Sequence, residues 1–136
     1  MRGAKPSMKI AAAPVARTPK APAWLAATAR AEWRRVAPIL TERRILTEAD
    51  LGSLENYCVA TGQIRDCQTL LSGLDSPFFT GESGVPRPHP AIRVQHAAIT
   101  LARQLAAELG LTPVSRSRPA INDDAEDNGG FGDLVD

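Results

Sequence analysis

From Leu25 onward the apolar side chains recur at intervals that a helix gathers onto one face. Leu25, Ala29, Trp33, Val36 and Leu40 are separated by four, four, three and four residues. At about 100° per residue this confines them to an arc of roughly 80°. Arg30, Arg34 and Arg35 fall outside that arc, so one helix offers an apolar stripe to a core and a basic face to solvent. Pro38 sits in its last turns and either removes one backbone hydrogen bond or bends the helix there.

A second helix is announced by Thr47-Glu48-Ala49-Asp50, in which Thr47 caps the first amides and the acids suit the positive end of the helix dipole. It runs to about Leu71. Its apolar positions, Leu51, Leu54, Cys58, Ile64 and Leu71, drift round the axis and are interrupted by Gly62, which implies contacts with more than one neighbour. From Gly73 to Pro90 turn formers dominate, and Phe78-Phe79-Thr80, Gly81-Glu82-Ser83-Gly84 and Val85 suggest a short β-hairpin. Pro90 opens a third helix whose Ile92, Val94, Ala98, Ile99, Leu101, Ala102, Leu105, Ala106 and Leu109 cover about half the circumference. Gly110 ends it, and Thr112-Pro113 starts a short terminal turn. The expected fold is all-α, a small bundle of about three main helices with a loop or hairpin insert.

The sixteen bases and fifteen acids are strongly segregated. Residues 1–44 hold ten bases and two acids, residues 45–118 six and seven, and residues 119–136 six acids and no base. The first 22 residues contain Pro6, Pro14, Pro19 and Pro22 and few large apolar groups, so they are expected to form a disordered basic arm, 1–22. Residues 23–118 are the helical core, and 119–136 an acidic tail expected to be disordered, with Phe131, Leu134 and Val135 as isolated apolar groups near its end. A core of under a hundred residues buries a limited share of its surface. Two wide apolar stripes therefore favour self-association, with Leu51, Leu54, Ile99, Leu101, Leu105 and Leu109 as candidate subunit contacts.

Catalytic and metal motifs are missing. Cys58 and Cys67 are nine residues apart, on opposite faces of one helix, and neither Cys-x-x-Cys nor His-Glu-x-x-His occurs around them or around His89 and His96. Gly81-Glu82-Ser83-Gly84 lacks the lysine and following helix of a phosphate loop and the spacing of a nucleophile elbow. No cofactor, metal or catalytic residue is expected. No apolar run is long enough to span a bilayer and no signal peptide is recognisable, so a cytoplasmic protein without a membrane partner is expected. The arm's bases are interleaved with Ala and Pro rather than with Trp, Phe or Leu, which favours a nucleic acid over a membrane surface. The candidate DNA contacts are Arg2, Lys5, Lys9, Arg17, Lys20, Arg30, Arg34 and Arg35.

Three stretches together carry a family likeness: Ala31-Glu32-Trp33-Arg34-Arg35-Val36-Ala37-Pro38, Ile45-Leu46-Thr47-Glu48-Ala49-Asp50 opening a helix, and the third helix closing in Ala107-Glu108-Leu109-Gly110-Leu111-Thr112-Pro113-Val114-Ser115-Arg116-Ser117-Arg118. Arg2-Gly3-Ala4-Lys5-Pro6 and Pro22-Ala23-Trp24-Leu25 fit the same pattern. In order and spacing the chain resembles the small terminase subunit of tailed double-stranded DNA bacteriophages and related prophages. It departs from that family at Arg65-Asp66-Cys67 and in the acidic tail. The resemblance implies a non-enzymatic packaging factor in the cytoplasm of the bacterial host. Such a factor forms a homo-oligomeric ring, binds the packaging start site on concatemeric viral DNA, and recruits and regulates the large terminase subunit, which carries the ATPase and nuclease. On this reading Phe131, Leu134 and Val135 dock the large subunit. The charge pattern also allows the tail to fold back on the basic arm and compete with DNA, or merely to solvate the chain. The rival readings are a small DNA-binding transcriptional regulator, which requires a tight helix-turn-helix, and a nuclease or metal-dependent enzyme, which requires carboxylates or histidines clustered in the core.

Overall fold

The computed structural model describes residues 13–117. In chain order it contains α1 (Ala27–Glu42), a 3-10 turn (Glu48–Asp50), α2 (Leu51–Ser72), β1 (Phe78–Thr80), β2 (Pro86–Pro88), α3 (Pro90–Glu108) and α4 (Pro113–Ser117). The fold is mostly helical, with β1 and β2 paired as an antiparallel hairpin in the register Phe78 to Pro88, Phe79 to Arg87 and Thr80 to Pro86. The expected arm over residues 1–12 and the expected tail over 119–136 lie outside the described residues.

The stripe read from the sequence is the core. Leu25, Ala29, Trp33, Val36, Ala37 and Leu40 are buried with Leu46, Leu54, Tyr57, Cys58, Ala60, Ala102 and Leu109 in one cluster. Helix α2 is the middle layer, packed by α1 on one side and α3 on the other, which accounts for its drifting apolar stripe. Helices α2 and α3 run antiparallel. The Gln95 amide bridges to the Ile64 carbonyl and the Gln68 side chain at one end, while Gly110 meets Ile45 at the other.

The boundaries follow local chemistry. The Asp50 carboxylate accepts from the Thr47 amide and hydroxyl at 3.0 and 2.8 Å, so the expected start exists, although its first turn is 3-10 and α2 proper begins at Leu51. Pro90 occupies the first turn of α3, and the Ala91 amide donates to the His89 ring at 3.0 Å. Helix α1 continues past Pro38 to Glu42. It ends as α3 does, in a left-handed residue. Arg44 at φ 58° and Gly110 at φ 75° follow their helices, and the Ile45 and Leu111 amides return to the Leu40 and Ala106 carbonyls. This closure favours glycine, and α1 uses an arginine for it.

Two expectations are corrected. Residues 13–22 were expected to belong to a disordered arm, but they lie along the helices, because apolar and backbone contacts replace the missing periodicity. Val15 donates to the Leu46 carbonyl at 2.8 Å, Pro14 bridges to Thr47, and the Trp33 indole donates to the Pro19 carbonyl at 2.9 Å. Leu54 and Leu109, expected on subunit contacts, are instead in the chain's own core.

Gly62 lies where α1 and α2 come close: a Cβ there would lie 2.8 Å from the Ala29 nitrogen. Gly62→Ala should lower stability by about 1–3 kcal/mol, as overpacking does. Arg44→Gly should raise it by about 0.5–1 kcal/mol by relieving the left-handed backbone. Thermal denaturation of both variants checks the pair. Equal shifts would mean the α1–α2 contact and the α1 closure are placed wrongly.

Candidate nucleic-acid interface

The bases on α1 separate into two groups because of where they fall round the helix. Arg30 and Arg34 are one turn apart on one flank, whereas Arg35 is turned by about 100° from Arg34, toward Glu32. That difference decides their roles in the fold.

Glu32 is 1% exposed, a charged group the protein must solvate itself. The Arg35 guanidinium grips both carboxylate oxygens, with Nε at 3.1 and 3.0 Å and an Nη2 contact to Oε1. The Tyr57 hydroxyl donates at 2.9 Å and Arg65 at 3.2 Å. Burial alone would raise the Glu32 pKa, but the hydrogen bonds from Arg35 and Tyr57 and the charges of Arg35 and Arg65 outweigh it and hold the carboxyl below its ordinary value. The partnership raises the Arg35 pKa in turn. Burial first, and then the Glu32 charge, push the neighbouring Cys58 thiol up to about 12, so it behaves as a small apolar group. Cys67 is half-buried and also free.

On the other flank, Lys20, Arg30, Arg34, Trp33, Pro19 and Pro38 line an open cavity of about 510 Å³ with no carboxylate in its wall. The segment before α1 builds part of it: the Trp33 to Pro19 hydrogen bond ties the segment to α1, so that Lys20 and Arg34 line the same cavity. Arg30 is half-buried and donates to the Ala23 and Leu25 carbonyls at 3.1 and 3.0 Å, which closes the turn into α1 and leaves its charge at the cavity. Lys20 and Arg34 are exposed. Among the described residues the two ion pairs, from Arg35 and Arg65, are both to Glu32.

The structure thus brings Lys20, Arg30 and Arg34 together and engages Arg35 elsewhere. Arg17 is exposed beside a separate cavity with Pro14, Thr47 and Glu48. Arg2, Lys5 and Lys9, and the tail residues Phe131, Leu134 and Val135, lie outside the described residues. Of the remaining candidate subunit contacts, Leu51 and Leu105 are half-buried against the core, while Ile99 and Leu101 are 46% and 53% exposed. Sequence reasoning missed Glu32, Tyr57 and Arg65. Glu32 lies at the edge of the apolar stripe three residues before Arg35, which was the available signal. Nothing in the spacing pointed to its partners on α2.

The fold and the cavity define a small helical protein with an uncovered cluster of three bases, the kind of surface that attracts polyanions. The chain matches the family described as phage terminase, small subunit, over residues 29–126. It belongs to that family, a regulatory and non-catalytic one, and so has a role in phage DNA packaging. No curated protein matches it. No solved structure matches it. Among the described residues no group of three or more His, Cys, Asp or Glu is placed to hold a metal ion, and no helix is long and apolar enough to cross a membrane.

The depressed Glu32 pKa predicts an acid-side loss of stability. Its contribution is complete above the ordinary carboxylate pKa and disappears as pH falls through the lower folded value. Glu32→Gln should therefore cost about 1–3 kcal/mol near neutrality and show a shallower loss of stability between about pH 5 and 2. Denaturant unfolding across that range checks this. An unchanged acid limb would remove Glu32 from the account.

Proposed function

We propose that this chain is the DNA-recognition subunit of a packaging machine: it binds double-stranded DNA at the packaging start and recruits the large terminase subunit. The observation that carries this reading is the cavity formed by Lys20, Arg30 and Arg34, which has no acid in its wall and sits on a chain of this family. Phosphates are the natural ligand, since each neutralised phosphate releases condensed counterions. Arg17 and the basic residues Arg2, Lys5 and Lys9 extend the contact along the duplex. Arg35 contributes mainly through Glu32. The ATPase and nuclease belong to the large subunit, which docks through Phe131, Leu134 and Val135, and the complex works in the cytoplasm of the bacterial host.

A homo-oligomeric ring is part of the same proposal. Ile99 and Leu101 leave apolar surface uncovered on α3, as do Val94 on that helix and Leu70 on α2, and such surface is what a second copy would bury. Leu54 and Leu109 hold each protomer together and have no part in it.

Lys20→Glu and Arg34→Glu should each weaken duplex binding by about tenfold at low salt and flatten the dependence of log affinity on log salt by about one unit. Arg35→Gln should act chiefly on stability. Fluorescence anisotropy with a labelled duplex decides this, and unchanged salt slopes in both charge-reversed variants would move the interface elsewhere. Leu101→Asp should lower the mass seen by light scattering while preserving helicity, because the side chain is already half-exposed. Unchanged mass would take α3 out of the subunit contact.

A further inference from the structure

The cavity of Lys20, Arg30 and Arg34 has a second candidate ligand within the same chain. We propose that residues 122–136 occupy this cavity when no DNA is bound, so that the acidic segment is an intramolecular competitor for the DNA site. This inference rests on the DNA-binding reading above and adds its regulation.

Charge complementarity selects the occupant. The cavity presents three cations, an edge of the largely buried Trp33 and two prolines, and no carboxylate. The segment presents Asp123, Asp124, Glu126 and Asp127, followed by Phe131, with no base anywhere after Arg118. It offers acids for Lys20 and Arg34 and an aromatic group for the apolar wall. No other stretch of the chain has that composition.

The path is short. Leu40 of α1 and Arg116 of α4 line one cavity, so the chain leaves α4 beside the C-terminal turn of α1, and Pro38 of that same turn borders the basic cavity. The whole of α1 is about 24 Å long at 1.5 Å per residue. The fourteen steps from Ser117 to Phe131 reach up to about 46 Å, and the six steps to Asp123 about 20 Å. A tether this short keeps the acids at a high effective concentration near the cavity, while salt screens the attraction.

A second cavity, lined by Phe79, Arg87, Ile92, Arg93, Val94 and His96, also pairs apolar walls with bases. It is bordered by the N-terminal turns of α3, at the end of the bundle away from α4. The nearer site has the additional cation and receives the assignment.

The test uses the full chain without DNA, carrying a benzophenone-bearing phenylalanine at position 131. Unlabelled and nitrogen-15-labelled chains are mixed so that mass spectrometry separates contacts within a chain from those between chains. Cross-links to residues 18–38 of the same chain, fading at high salt, are expected. Cross-links confined to residues 79–96, to another copy, or to no part of the core would overturn the proposal. In parallel, the full-length variant combining Asp123→Asn, Asp124→Asn, Glu126→Gln and Asp127→Asn should bind duplex about tenfold more tightly than the natural chain at low salt, with the difference closing as salt rises. Equal affinity at every salt concentration would overturn competition. If neither chain bound duplex, the DNA reading would fall, while the cross-link map would still decide where the segment sits.

Discussion

The bundle depends on one buried carboxylate. Glu32 sits at the α1–α2 contact with Arg35, Tyr57 and Arg65 around it, and on the same pair of helices Gly62 lets the Ala29 backbone come close. A buried charge without partners is costly, whereas one surrounded by donors fixes the geometry of the elements that supply them. Here the donors come from α1 itself and from two positions on α2. They orient α1 against α2, and that orientation decides which arginine Glu32 holds and which ones line the cavity without acids.

That orientation separates the arginine engaged in the fold from those proposed for recognition on a single helix. Arg35 is held by Glu32, and Arg34, the next residue back, is exposed at a cavity without acids. Trp33 serves both sides, with its ring in the core and its indole nitrogen binding the segment that carries Lys20. The proposed DNA face is therefore assembled from α1 and from a proline-rich strap held by a few specific bonds. Its proposed regulation by the acidic segment uses the same three cations, so recognition and competition draw on one set of charges.

Much of the fold was legible in the sequence because helices report themselves through spacing and through their ends. The stripe from Leu25 to Leu40, the Thr47 start, Pro90 in the first turn of α3 and Gly110 after it appear where the residues place them. The hairpin was legible from its turn residues, although its second strand begins at Pro86. Periodicity identifies an apolar face but not what covers it, so Leu54 and Leu109 in the core could not be told from Ile99 and Leu101 at the surface. Residues 13–22 have no periodicity at all, and their order comes from single contacts such as Val15 to Leu46. In the candidate site, the charge count pointed to the bases of α1, but separating Arg35 from Arg34 needed the partners on α2.

The proposed DNA face of this phage terminase small-subunit family member is the flank of α1 that carries Arg30 and Arg34, with the strap beside it. Footprinting by arginine- and lysine-selective modification, read by mass spectrometry with and without duplex, tests it most directly. Protection of Lys20 and Arg34 by DNA is expected, with little change at Arg87, Arg93 and Arg103 on the hairpin and α3. Protection of those three, with Lys20 and Arg34 still reactive, would contradict it.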